Sequence, residues 1–222
     1  MIRDSFRAEI YIDPEEYEEM PLRDRKAVLP NFFTGRACMK KRAEFLRDVI
    51  ALANTARLFG EPAYLIFGLD DEGNILDLKD SLRVYDRGET TPWEGFRHSI
   101  GQFIREYIEP SLVHWDLKHG EVDGKEVGYL LIKPYAARHK FQVKKKLKSG
   151  REVMLEKSQS WIRFGESKYN LRNMPFESMP YEYSYAEVPY VLPSIWLKYF
   201  EALSSCYIQK KIYVGCARFH YI

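Results

Sequence analysis

The stretch AYLIFGLDDEG, Ala63 to Gly73, decides the fold. Its first seven residues form a continuous, largely apolar run, too short for a core helix. Gly60 and Pro62 stand before it and the acidic DDEGN turn follows, so the run reads as a strand buried on both faces. Upstream, Leu46, Val49, Ile50 and Ala53 recur at helical spacing, which predicts an amphipathic helix from Met39 to Leu58. Gly60 and Pro62 end it, with Asn54 and Thr55 expected near its end in a capping role.

Downstream, Phe96, Ile100, Phe103, Ile104, Tyr107 and Ile108 predict a second amphipathic helix, from about Pro92 to Glu109, stopped by Pro110. Strands are expected at LVHWDL (112–117), EVGYLLI (126–132) and SWIRFG (160–165), with Asp123-Gly124 as a hairpin turn. Helix, strand, helix and then a run of strands indicate an α+β domain with a mixed sheet and two main helices. The first thirty residues are charged and carry Pro14, Pro21 and Pro30; only AEIYI suggests a short strand there. Residues 1–175 are expected to form the main domain. Residues 176–222 are rich in tyrosine and too few for a core of their own, which predicts packing on the main domain, a protein partner or a homo-oligomer contact.

The chain has 222 residues, 45% hydrophobic, and a formal net charge of +2. A sizeable core is expected, and any affinity for nucleic acid must come from local clustering of charge. Cys38, Cys206 and Cys216 are odd in number and lack zinc spacing, which suits a reducing, cytoplasmic setting. No apolar run approaches the ~18 residues of a membrane span, and the charged N-terminus is no signal peptide. P-loop, dinucleotide-binding and nucleophile-elbow motifs are absent, and the five histidines have no zinc-motif spacing.

The strongest local charge lies in KPYAARHKFQVKKKLKSGR, Lys133 to Arg151. Arg138, Lys140, Lys144, Lys145, Lys146, Lys148 and Arg151 occur there without an acid, interleaved with Tyr135, His139 and Phe141. Such a segment suits phosphate contact and base stacking; the alternative is a solvated edge strand guarded by lysine. Alternation in KFQVKKKLK places Phe141, Val143, Lys145 and Leu147 on one side. Arg163 and Lys168 are expected to extend the basic face, with Trp161 and Phe164 in the core.

Five phrases in one order, FLRDVIALANT, AYLIFGLDDEG, a helix ending in IEP, VDGKEVGYLLIKP and SWIRFGESKYNL, resemble the Schlafen-type AlbA-like domain family. The resemblance covers roughly Glu19 to Met174 and implies a Schlafen/AlbA-like core that binds DNA or RNA. Nucleolytic members carry a Glu-x4-Glu-Phe-Lys motif ahead of the Ala-Asn-Thr helix. EMPLRDRK matches its frame with Glu19, Asp24 and Lys26, but has Asp for the second Glu and Arg25 for Phe. The family's third acid falls on Asp71. By this resemblance, Glu19, Asp24 and Asp71 would be catalytic and hold Mg²⁺ or Mn²⁺, while Lys26 would meet phosphate in a metal-dependent endoribonuclease acting on tRNA or other structured RNA. Family members of this kind often serve in defence against foreign genetic elements. Two alternatives stand beside this reading: a non-catalytic DNA- or RNA-binding module that recruits or regulates, with Asp70 and Asp71 capping a turn, and an interaction protein whose aromatic tail docks a partner.

Overall fold

A computed structural model describes residues 22–32, 36–70, 72–86, 88, 90–134, 140–164 and 167–171. The chain divides into two units, Met1–Met179 and Pro180–Ile222. The tail readings from 176 onward, the AEIYI strand, Glu19, Asp71 and Arg138 lie outside the described residues.

The first described strand, β1 (Arg23–Lys26), lies in the charged opening that reads as loop or short helix from sequence. Helix α1 (Arg36–Phe59) and strand β2 (Ala63–Phe67) follow. Next come a one-turn helix α2 (Lys79–Leu82), a 3₁₀ turn (Arg83–Tyr85) and helix α3 (Pro92–Tyr107). Among the described residues eight further strands follow: β3 (Ile108–Glu109), β4 (Trp115–Val122), β5 (Lys125–Ile132), β6 (Gln142–Val143), β7 (Leu147–Ser149), β8 (Glu152–Leu155), β9 (Trp161–Phe164) and β10 (Ser167–Asn170).

The main sheet runs β1-β2-β5-β4. β1 is parallel to β2, and both β2–β5 and β5–β4 are antiparallel, so the sheet is mixed as the α+β reading requires. β1 was missed because it has no apolar residue to announce it. It is held instead by backbone pairing, with Tyr64 N–H donating to Leu22 O at 2.8 Å and Gly68 N–H donating to Lys26 O at 2.8 Å. The β4–β5 hairpin turns at Asp123 and Gly124, both at positive φ (51° and 78°), which suits the Asp-Gly pair. β3–β6, β7–β8 and β9–β10 form three two-stranded ribbons.

The core fills the space between the sheet and the helices. Leu65, Phe67, Leu130 and Ile132 from the sheet meet Leu46, Val49, Ile50 and Ala53 of α1 and Phe96, Ile100 and Ile104 of α3. Phe96 stands edge-on to Phe67 at 5.6 Å and to Tyr85 at 4.9 Å. A smaller cluster of Ile66, Leu69, Ile75, Val122, Val127 and Tyr129 includes the oppositely directed residues of β2 and β5. α1 packs against β2 and also against β7, β8 and β9. It is therefore enclosed, and from Phe45 to Ala56 every residue except Arg47 is buried.

This enclosure overturns the capping role expected of Asn54 and Thr55. The helix continues to Phe59, and both side chains face the ribbons. Asn54 Nδ2 donates to the carbonyls of Phe141 and Trp161, each at 2.9 Å, while Asn54 Oδ1 accepts from Phe141 N at 2.8 Å. Thr55 Oγ1 donates to Ala51 O at 2.8 Å and accepts from Arg163 N at 3.0 Å. The Asn-Thr pair thus joins α1 to two segments about a hundred residues later.

Candidate functional site

Asp24 and Lys26 alternate with Arg23 and Arg25 along β1, so the first pair faces one side of the sheet and the second pair the other. Arg23 lies over the Tyr64 ring at 5.6 Å, and Arg25 Nη1 donates to Asp70 O at 3.4 Å. Asp24 and Lys26 point to the α1 side, where they meet a charged residue that sequence reasoning overlooked. Asp48 sits in α1 with 0% exposure.

Five charged side chains converge there. Asp24 Oδ2 lies 2.9 Å from Arg163 Nη1, 3.3 Å from Lys26 Nζ and 3.9 Å from Lys168 Nζ. Asp48 Oδ2 lies 3.0 Å from the same Lys26 Nζ, and Lys168 Nζ donates to Asp48 Oδ1. β1, α1, β9 and β10 each supply a member. Burial acts to raise the Asp24 carboxyl, but Arg163, Lys26 and Lys168 outweigh it and hold the group below its ordinary value. Asp48 goes the other way: burial and the nearby Asp24 charge raise it, against the pull of Lys26 and Lys168. Burial would lower Lys26, but the two carboxylates hold it above its ordinary range.

Arg163 corrects an expectation. It does not extend an exposed basic face; it is 1% exposed and pairs with Asp24. Alternation along β9 turns it inward, and a guanidinium can enter the interior only with a partner. Lys168 likewise turns to the two aspartates. A signal for Asp48 was present in the sequence: an acid inside FLRDVIALANTA, where nearly all neighbours are apolar, must find cations once the helix is enclosed.

The cluster does not make a metal centre from the described residues. Asp24 Oδ2 is already between an arginine and a lysine, so a divalent cation there would sit among three positive groups. Among the described residues, no three His, Cys, Asp or Glu side chains group as a metal site needs. Asp70 has the turn-capping role weighed from the sequence: its carboxylate accepts from Asn74 N at 2.7 Å and Asn74 Nδ2 at 2.9 Å. The backbone and side-chain donors of that turn hold it below the ordinary carboxylate value.

A cleft of about 110 Å³ opens beside the cluster. Lys26, Lys41, Glu44 and Asp48 give it charge, and Leu29, Pro30, Phe45 and Phe67 give it apolar walls.

The basic segment divides in two. Phe141, Val143 and Leu147 are buried, but Lys145 does not join them as the alternation predicts. The chain bends at Lys144 and Lys145 between β6 and β7, because β6 pairs with β3 while β7 turns back on β8. Lys145 instead reaches Glu106 and lies 4.8 Å from the Tyr107 ring centre, and Lys146 pairs with Glu156 at 2.8 Å. Lys144, Lys148 and Arg151 are exposed and show no ion pair among the described residues. Lys140 is half-buried.

An α+β domain with a mixed sheet, an enclosed helix carrying Ala-Asn-Thr and a charged seam between them defines the class. The family model described as Schlafen, AlbA_2 matches residues 33–172. The chain belongs to this Schlafen/AlbA_2 family. No curated protein matches the chain. Among solved structures, the DIP2311 protein from Corynebacterium diphtheriae is similar, at 15% identity and a TM-score of 0.40. That match covers 76% of this chain and 29% of the other, so the chain spans under a third of that protein's length. No helix among the described residues is long and apolar enough to cross a membrane.

Proposed function

We propose that this domain binds nucleic acid through the phosphate backbone, using the surface formed by the bend after β6 and the β7–β8 hairpin. The observation that carries the reading is the exposure of Lys144, Lys148 and Arg151 without ion pairs among the described residues. Cations already held by carboxylates give up those bonds to reach a phosphate; unengaged ones release counterions at no such cost. Lys145 and Lys146, bound to Glu106 and Glu156, contribute less on this reading. Fluorescence polarisation with a labelled single-stranded RNA, a hairpin RNA and duplex DNA at ~50 mM salt tests it. Lys144→Glu/Lys148→Glu/Arg151→Glu should abolish binding, while Lys145→Gln/Lys146→Gln should leave most of it. Undetectable binding of every oligonucleotide by the native protein overturns the reading.

A second reading, metal-dependent cleavage of tRNA or other structured RNA, has one observation in its favour. β1 runs parallel to β2 with Asp24 opposite Leu65 and Lys26 opposite Phe67, so β1 ends beside the end of β2 from which the sequence runs on toward position 71. The described donors around Asp24 do not fit a metal on their own, and this reading needs Glu19 and Asp71 to complete the set. Incubation with total tRNA, with Mn²⁺ or EDTA, checks it. Cleavage that requires metal and disappears in both Glu19→Ala and Asp71→Ala supports hydrolysis; intact tRNA with undiminished binding leaves a module that binds without cutting.

A further inference from the structure

β4 stands at the end of the main sheet, and among the described residues only β5 pairs with it. Lys133 N donates to His114 O, so the even-numbered residues of β4 turn their backbone groups toward β5. The N–H and C=O groups of Trp115, Leu117, His119 and Glu121 therefore point away from the sheet. An edge of this kind is a template for another strand. At Leu117 it is closed by side chains. Leu117 N donates to Asp116 Oδ1 at 2.9 Å, and Arg97 Nη1 donates to Leu117 O at 3.5 Å. Arg97 Nη2 donates to the same Asp116 oxygen at 2.6 Å, which joins the two into one clasp. The Arg97 and Asp116 side chains are 52% and 36% exposed, so water can replace their bond at little cost.

We propose that β4 is a self-docking edge: its occupant is β4 of a second copy of this chain, antiparallel about Leu117, and the Arg97–Asp116 clasp competes with that pairing. The sequence on either side of Leu117 is what selects the occupant. A twofold axis at Leu117 sets Trp115 opposite His119, and Asp116 opposite Lys118, of the second copy. Asp116 and Lys118 project from the face opposite Leu117, so the axis makes two cross-strand pairs of opposite charge. Both fall at non-hydrogen-bonded positions, where facing side chains stand closest. Moving the axis by one residue sets Asp116 on Asp116 or Lys118 on Lys118, and no other twofold register within Trp115–Val122 matches an acid with a lysine. Pairing would exchange both Leu117 backbone bonds with Leu117 of the second copy. The Asp116 carboxylate would pass from Arg97 to Lys118 of the second copy, leaving Arg97 in water beside the Trp115 ring, 5.9 Å from its centre. Each copy gives up its own clasp first, which weakens the native dimer. The proposal uses none of the cations of the β7–β8 hairpin and stands apart from the nucleic-acid reading.

Sedimentation velocity of the full chain over a concentration series tests it. Arg97→Met keeps the aliphatic stem and removes the clasp, and its dimer should form at about tenfold lower concentration than that of the native chain. Where thermal melting shows Arg97→Met to be poorly folded, Arg97→Gln takes its place. Two further changes on that background test the register. Asp116→Lys alone sets lysine on lysine at both cross-strand pairs, and Lys118→Asp alone sets aspartate on aspartate. Each should lose the dimer by itself. Mixed one to one, they restore lysine opposite aspartate at both pairs, and native mass spectrometry should find the mixed dimer in excess over either self-dimer. Equal association of the native chain and the Arg97 variant, whether none or the same, overturns the proposal. So does a dimer that Asp116→Lys and Lys118→Asp each form alone as readily as their parent, because its interface then lies away from β4.

Discussion

Asp24 carries two claims at once. The family resemblance implies a metal ligand at this position, and in the fold its carboxylate faces Arg163, Lys26 and Lys168. Asp24→Ala would leave that guanidinium without its carboxylate, and removal of one partner from a buried pair costs about 3–5 kcal/mol. Urea denaturation of the variant at neutral pH gives the number. The acid limb supplies an independent check. The folded-state value of Asp24 lies below its ordinary 3.8, so the unfolded chain takes up the proton first. Its stabilisation is complete above that ordinary value and is lost as pH falls through the folded value. Asp48, whose folded-state value is raised, has the opposite sign: its favourable contribution is present at low pH and fades as pH climbs through the folded value. Denaturation midpoints from pH 6 down to pH 2 should fall less steeply for Asp24→Asn than for the native chain. An equal slope would show that Asp24 is not the residue responsible. Asn54→Ala removes four hydrogen bonds around Phe141, Ser160 and Trp161 and takes this partner from the Phe141 N–H and the Trp161 carbonyl, while the Phe141 carbonyl keeps Ser160 Oγ; the expected loss is roughly 2–3 kcal/mol.

The elements divide by whether apolar periodicity announces them. α1, β2, α3 and β5 do so, and the sequence places each within a few residues of its observed span; β4, expected over 112–117, runs instead over Trp115–Val122. β1 has no such signature: RDRK is a strand because β2 offers it a backbone edge, and nothing in four charged residues predicts that partner. The same holds for the β6–β7 break, which depends on β3 and β8 claiming neighbouring residues for different ribbons. Asp48 was open to discovery because an enclosed helix forbids an unpaired acid; its partners, Lys26 and Lys168, were not, because they come from two other elements, β1 and β10. α3 starts with a reciprocal cap: Glu94 N donates to Thr91 Oγ1, and Glu94 Oε2 accepts from Thr91 N. Thr91→Ala should lower stability by about 1 kcal/mol in chemical denaturation. At the other face of α3, Trp93 stacks on His119 with ring centres 4.7 Å apart and donates from Nε1 to Glu126 at 3.0 Å. Gly128 makes room for it. A Cβ at that position would stand 2.5 Å from Trp93 Cη2 and 3.0 Å from Lys118 O. Gly128→Ala should therefore displace the indole, cost roughly 1–3 kcal/mol and change the near-ultraviolet circular dichroism. An unaltered spectrum would mean the ring yields without leaving its stack.

Across the main domain, formal charge near neutrality conceals a strong internal division. Cations at the seam are committed to aspartates, and those near β7 face solvent. Nucleic-acid affinity on this plan should fall linearly with salt on logarithmic axes, with a slope near −0.7 for each phosphate of a single strand engaged. Lys144→Gln, Lys148→Gln and Arg151→Gln together should flatten that slope by about two. A slope unaffected by the triple change would place the phosphate contacts elsewhere on the surface.

The bonds from Asn54 and Thr55 have a consequence for how this polypeptide leaves the ribosome. Their partners at Phe141, Ser160, Trp161 and Arg163 are translated some 87 to 108 residues after them. Until those residues emerge, the central helix can collapse against the early strands but keeps the Asn54 amide without its partners and the Thr55 hydroxyl without the Arg163 donor. Nascent chains arrested before Arg163 clears the exit tunnel should stay sensitive to protease at α1, and those arrested after β10 clears it should resist. Protection that arrives only with β10 would make the Ala-Asn-Thr triplet a completion check on synthesis, tied to the last of the described ribbons.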